Sequence, residues 1–209
     1  MIILAKNAGF CFGVKRAVEA VENNMDKKSV VTLGHLIHND SVVRSFEQRG
    51  VRCIESIEEL TGNETVIIRS HGVSPDIINE LKNRGIEYID ATCPHVKAIH
   101  KRVSSACEQG LPVIIVGEAV HLEVDGTIGW AGGNAYVVYT EEEVNSLPEM
   151  REAVVVAQTT ITEEKWNSIV SALKAKVERI IPFLSICSAT KTRQDEAEEI
   201  AKKADAVIV

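Results

Sequence analysis

"CPHVKAIHKRVSSACEQGLPVIIVGEAVH" occupies residues 93–121. In its first half Val96, Ile99, Val103, Ala106 and Cys107 recur at helical spacing, and its second half is a short β-branched run ending on Gly117. An earlier stretch, "CFGVKRAVEAVENNMDKKSVVTLGHLIH" at 11–38, follows the same plan, with Val14, Ala17, Val18 and Val21 as the helical stripe and "SVVTLG" as the strand. Cys11 precedes Gly34 by 23 residues and Cys93 precedes Gly117 by 24. In both copies a histidine, His38 or His121, lies four residues past the glycine. The chain therefore repeats a unit that begins at a cysteine.

The second half of the unit also repeats. "ETVIIRSH" and "EAVVVAQT" read as strands ending on polar residues, His71 and Thr159. Helices follow at "SPDIINELKNRG" and "TEEKWNSIVSALKAK", with Ser74 as N-cap before Pro75, and Thr162 as the other cap. The strands "IEYIDATC" and "VERIIPFLSIC" then lead into Cys93 and Cys187. Helices alternating with apolar strands predict an α/β fold of small parallel sheets covered by helices. The expected division is a first module over 11–93, a second over 94–187, and the start of an incomplete third over 188–209. The stretch between each loop histidine and the next strand reads as variable, and "ADAVIV" at 204–209 reads as the third module's first strand.

Aromatic residues are 4% of the 209, so Val, Ile, Leu and Ala must build the core. The net charge of −7 is spread without a basic stripe, which excludes a nucleic-acid footprint. No apolar run reaches membrane-spanning length and "MIILAKNAGF" lacks a signal peptide's basic front, so a cytoplasmic chain is expected. Five cysteines in that setting predict thiols or metal ligands rather than disulfides.

Each repeat sets its cysteine, Cys11, Cys93 or Cys187, where a strand gives way to a helix. Ligands of parallel sheets gather at the carboxyl ends of strands, and a helix N-terminus favours thiolate over thiol. Three pseudo-equivalent modules around a threefold axis would bring these thiolates to one centre, where zinc or an iron–sulfur cluster would suit them. Cys53 and Cys107 read as small buried hydrophobes, and His35, His95 and His100 have no counterpart in the repeat. His38, His71 and His121 fall in strand-end loops and point to an anion such as phosphate, with Thr159 in the same shell. Glu123, read as a loop acid two residues past His121, is a candidate proton donor. "GWAGGN" at 129–134 reads as flexible loop. One reading of this set is a non-catalytic three-cysteine metal-binding or redox-sensing protein.

The motifs "GFCFGVKRA" (9–17), "HN" (38–39), "SHGV" (70–73), "DATCPHV" (90–96), "HLEVDGT" (121–127), "QTT" (158–160) and "ICSATKTRQ" (186–194) resemble the 4-hydroxy-3-methylbut-2-enyl diphosphate reductase family along essentially the whole chain. The resemblance implies a pseudo-threefold trefoil around a central 4Fe–4S cluster held by Cys11, Cys93 and Cys187. It implies an iron–sulfur oxidoreductase that removes the allylic hydroxyl of this diphosphate, giving isopentenyl and dimethylallyl diphosphates in the last step of the methylerythritol phosphate route. It further implies His38, His71 and His121 as diphosphate ligands, Glu123 as proton source, and Thr159 as the residue orienting Glu123 and the leaving oxygen. Ferredoxin or flavodoxin would be the electron donor, and no membrane or nucleic-acid partner is implied. Two departures stand out. Leu122 replaces the family's usual proline, and the family's later Ser-x-Asn loop and serine do not follow "AVIV". In the family the first strand packs with the third module, so residues 1–10 are expected there, and an incomplete site with weakened cluster retention and exposed apolar strand edges follows.

Overall fold

The computed structural model describes residues 2–27 and 29–208. The first repeat runs α1 (Phe12–Glu22), β1 (Val30–Leu33), α2 (Asp40–Gln48), β2 (Arg52–Ile54), a 3₁₀ turn at Ile57–Glu59, β3 (Thr65–Ile68), α3 (Pro75–Asn83) and β4 (Glu87–Asp90). The second runs α4 (Pro94–Glu108), β5 (Val113–Val116), α5 (Leu122–Trp130), β6 (Ala135–Val138), α6 (Glu141–Asn145), β7 (Met150–Ala157), α7 (Glu163–Leu173) and β8 (Val177–Phe183); α8 (Ser188–Ala201) follows. The strands form two parallel four-stranded sheets with the same topology, β2-β1-β3-β4 and β6-β5-β7-β8. Every residue of the inner strands β1, β3 and β5 is buried, because helices cover both faces. That double burial is why these strands are unbroken apolar runs rather than alternating ones.

The two sheets carry paired cores on opposite faces. Leu33, Ile54, Val66, Ile68 and Leu81 pack on one face of the first sheet, and Ala17, Val21, Phe46 and Ile67 on the other. Ile114, Val155, Trp166 and Leu173 face Ile99, Val103, Ile115 and Val156 across the second sheet. The modules meet where Trp130 donates its indole N–H to the Val73 carbonyl at 3.0 Å and stacks on His100 at 5.3 Å.

Several expectations need correction. The variable stretch of each unit holds a helix and an edge strand, α2–β2 and α5–β6. These segments are short, and β2 has only Ile54 fully buried, so their periodicity is weak in the sequence. "GWAGGN" is not all loop, since Gly129 and Trp130 close α5. A side chain at Gly129 would collide with Ser74, so the glycine lets α5 close on the start of α3. Ser74 occupies the N-cap of α3 without a side-chain bond to the helix, whereas the Thr162 hydroxyl accepts from the Lys165 amide at 3.1 Å. Residues 205–208 and 2–5 form no strand and pair with no strand among the described residues; Ile2, Leu4 and Ile208 stand exposed. The segment just after residues 2–5 is tied to α8: the Lys6 and Asn7 amides donate to Glu196, and Arg193 donates to the Asn7 and Gly9 carbonyls.

Candidate active site

In each sheet the chain leaves two adjacent central strands in opposite directions, β1 toward β2 and β3 toward β4, and likewise β5 and β7. A crevice opens at the carboxyl ends of such a pair. The Gly34–His38 loop and Arg69–His71 leave the first crevice, and Gly117–His121 and Gln158–Thr159 leave the second. Both crevices open on one cavity of about 270 Å³, lined by Cys11, Cys93, Cys187, His38, His71, His121, Glu123 and Thr159 among others. All eight candidate residues named from the sequence are thus brought together.

The three cysteines are the N-caps of α1, α4 and α8. Each carbonyl accepts the amide four residues on, from Lys15, Lys97 and Lys191, a lysine register common to all three repeats. The Cys93 thiol is pushed up by burial and by the charges of Cys187 and Cys11, while the His95 and Val96 amides pull it down. Gly13 is buried beside it, and a side chain there would come within 2.6 Å of the Cys93 sulfur. Among the described residues the only trio of His, Cys or carboxylate donors all within 4.8 Å of one another is His35, Cys53 and Glu55. The N-cap thiols therefore stand wider than one zinc ion's ligands, whose sulfurs lie about 3.8 Å apart in a tetrahedron. A polynuclear cluster, which takes each thiolate on a different metal atom, fits that spread better.

The histidines converge from three loops. The His38 and His71 ring centroids lie 4.3 Å apart, and His121 stands 5.6 and 5.8 Å from them. Burial, then the neighbouring His38, His121 and Arg69 charges, drives His71 down to about 3. Burial and His38 lower His121 as well. The buried Nδ1 of His71 has no hydrogen-bond partner among the described residues. A crowded set of imidazoles with an unmet polar atom is what an anionic ligand would complete, since its charge relieves their mutual repulsion.

Glu123 is not a loop acid. It sits in the first turn of α5, whose N-cap is His121, with Nδ1 accepting the Glu123 amide at 3.1 Å. Only 3% exposed, its carboxyl is pushed up by burial, against the pull of Thr159. The Thr159 amide donates to Oε1 at 2.7 Å and its hydroxyl meets Oε2 at 2.6 Å. The register revises one pairing. Leu33 lies beside Ile68 and Val116 beside Ala157, so Thr159 is the counterpart of Ser70, and His71 that of Thr160. The Cys93 amide accordingly donates to the Ser70 carbonyl and the Cys187 amide to that of Thr159, both at 2.9 Å. Matching the strand ends by sequence puts them one residue out, because the polar residue that looks terminal differs between repeats.

Residues that the motifs contain but to which the sequence assigns no role also line the cavity: Asn39, Ser70, His95, Thr160 and Arg193. His95, two residues past Cys93, was detectable as part of the helix-opening turn. Asn39 carries a local signal too, since its side chain caps α2 by accepting the Val42 amide at 3.1 Å.

A family model described as LytB protein matches residues 2–209. The 4-hydroxy-3-methylbut-2-enyl diphosphate reductase of Thermoanaerobacter sp. (strain X514) is 44% identical over 213 residues, covering 100% of this chain and 74% of that protein. The reductase of the same name from Clostridioides difficile (strain 630) is 42% identical, covering 100% of this chain and 76% of its own. A solved structure of (E)-4-hydroxy-3-methyl-but-2-enyl diphosphate reductase, the terminal enzyme of the non-mevalonate pathway, matches with a TM-score of 0.81 at 39% identity over 98% of this chain and 74% of that one. The corresponding Plasmodium falciparum reductase matches with a TM-score of 0.86 at 32% identity, over 94% and 64%. With its two sheets, cysteine-capped helices and histidine-lined cavity, the chain belongs to the LytB family of 4-hydroxy-3-methylbut-2-enyl diphosphate reductases.

Proposed function

We infer that the chain acts in the reductive dehydroxylation of 4-hydroxy-3-methylbut-2-enyl diphosphate to isopentenyl and dimethylallyl diphosphates. The observation that carries this reading is the meeting of three histidines, a buried protonatable carboxyl and three helix-capping thiols in one cavity. In the reaction a C–O bond breaks and a C–H bond forms; two electrons and two protons enter, and water leaves.

Cys11, Cys93 and Cys187 would hold a 4Fe–4S cluster. When bound, that cluster supplies the electrons and a Lewis-acidic iron for the hydroxyl. His38, His71 and His121 would anchor the diphosphate. His71 and His121 would gain protons as the anion arrives, because its charge offsets the desolvation that lowers both in the free chain. Glu123, raised by burial, keeps a proton closer to neutral pH than an exposed carboxyl does, and so can deliver it. Thr159 fixes both carboxyl oxygens and so the direction of that delivery. The outside reductant would be a small one-electron carrier such as ferredoxin or flavodoxin. The modular division at 11–93, 94–187 and 188–209 goes with this reading, each module contributing one thiol-capped helix.

Anaerobic reconstitution with iron and sulfide, followed by absorption and EPR spectra with and without the allylic diphosphate, tests it. The expected result is a brown chromophore whose EPR signal changes on adding substrate, with isopentenyl and dimethylallyl diphosphates released on reduction. A chain that stays colourless after reconstitution overturns the reading.

A further inference from the structure

Cys53 and Glu55 lie outside the cavity just described. Cys53 is on β2, the edge strand of the first sheet, and Glu55 follows it, two residues on, so both side chains leave the same face. On the neighbouring β1, Thr32 pairs with Cys53 and Leu33 with Ile54. The Gly34 amide then donates to the Ile54 carbonyl at 2.7 Å, carrying the pairing one rung further and setting Gly34 beside Glu55, with His35 next in the chain at the turn where Gly34 takes a positive φ of 70°. The ligating atoms of His35, Cys53 and Glu55 all lie within 4.8 Å of one another.

We propose that His35, Cys53 and Glu55 form a binding site for one divalent ion of the zinc class at the open edge of the first sheet. An imidazole, a thiolate and a carboxylate are the three donor types zinc takes, with water in the fourth place. Ligand atoms around tetrahedral zinc sit about 3.3–3.8 Å apart, so the three side chains need close by no more than about 1.5 Å. His35 and Glu55 are exposed and Cys53 is half-buried, which leaves them free to do so.

The charges around the site favour a cation. The carboxylates of Glu55, Glu47 and Glu59 all act on the Cys53 sulfur, and the Thr32 hydroxyl bonds it. The opposing charge is Arg69, which faces Cys53 and Glu55 but is shared with Asp125 of α5. Its Nη1 reaches the Leu33 carbonyl only at 3.4 Å, and its buried Nε has no partner among the described residues. A bound ion would pin the 34–39 loop, which carries His38 and the α2 cap Asn39, to the edge strand.

The test is a cobalt titration of the chain with Cys11, Cys93 and Cys187 all replaced by serine, so that no competing thiol set remains. One equivalent of Co²⁺ should bind with a thiolate-to-cobalt absorption band and be displaced by Zn²⁺. Adding Cys53→Ser should abolish the band, and His35→Ala or Glu55→Gln should weaken binding at least tenfold. In parallel, equilibrium dialysis of the cluster-loaded, otherwise unaltered chain should show one Zn²⁺ that its His35→Ala variant lacks. No bound equivalent in either experiment, or variants that titrate like their parents, overturns the proposal.

Discussion

The Thr159 hydroxyl lies 2.6 Å from one carboxyl oxygen of Glu123 while its amide donates to the other at 2.7 Å. These two residues are 36 apart in the chain and both buried, so the pair is a fixed element of the cavity wall. Replacing Glu123 by Gln keeps an acceptor for the Thr159 amide but removes the acidic proton. Turnover is expected to fall by about 10²–10⁴ with little change in folding, measured as product formed per chain under excess reductant. Turnover equal to the parent's would remove Glu123 from proton delivery.

Thr159→Val tests the other partner. Its hydroxyl bond favours the ionised carboxylate, so losing it raises Glu123 further. Activity that depends on protonated Glu123 falls as pH rises through that group's pKa, and in the variant this fall should begin at higher pH. Stability should drop by about 1–3 kcal/mol, because the buried carboxyl is left partly unsatisfied. An unmoved pH profile would show that the pair does not set the acid.

Diphosphate binding should take up protons. His71 is held at about 3 in the free chain, and an adjacent anion raises it. The bound state therefore carries more protons than the free state between that value and the raised one, and affinity increases as pH falls through this window. Calorimetry of pyrophosphate or substrate binding in buffers of different ionisation enthalpy reads the uptake directly. In His71→Asn the uptake should shrink and affinity weaken; proton release on binding would contradict the anion-site assignment.

Gly13→Ala should impair cluster assembly without unfolding the chain. The new methyl would come within 2.6 Å of the Cys93 sulfur, and the glycine lies in ordinary helical backbone, so the strain falls on the thiol. Iron and sulfide content after reconstitution is expected to drop severalfold while the far-ultraviolet dichroism stays at the parent level. Full loading would mean that the thiol has room to move.

His100 should make the apo chain acid-sensitive. Burial lowers it from 6.5 to about 4, and its buried Nε2 has no hydrogen-bond partner among the described residues. The unfolded chain binds a proton between those values and the native chain does not, so stability is whole above about 6.5 and is lost as pH falls toward 4. At about 1.4 kcal/mol per pH unit the loss is roughly 3 kcal/mol. His100→Phe preserves an aromatic ring against Trp130 and should flatten the dependence of urea midpoint on pH across this range. A variant as acid-sensitive as its parent would assign the effect elsewhere.

Much of this molecule is written locally. The apolar stripe from Val96 to Ala106 and the β-branched run after it define a helix and a strand wherever they occur, and the recurrence of that pair behind Cys11 and Cys93 announces the repeat. The position of each cysteine at a helix start is local too, and so is the spacing that leads to His38 and His121. The sequence by itself therefore determined the α/β repeat and named eight of the residues that line the cavity. Tertiary structure decided what depends on strand pairing and burial, which join residues far apart in the chain. Sheet register made Ser70, not His71, the counterpart of Thr159, and the turn after β1 brought His35 to Cys53 and Glu55. Packing of α5 buried Glu123 beside Thr159 and so raised its pKa, a property of its surroundings that no spacing in the sequence encodes.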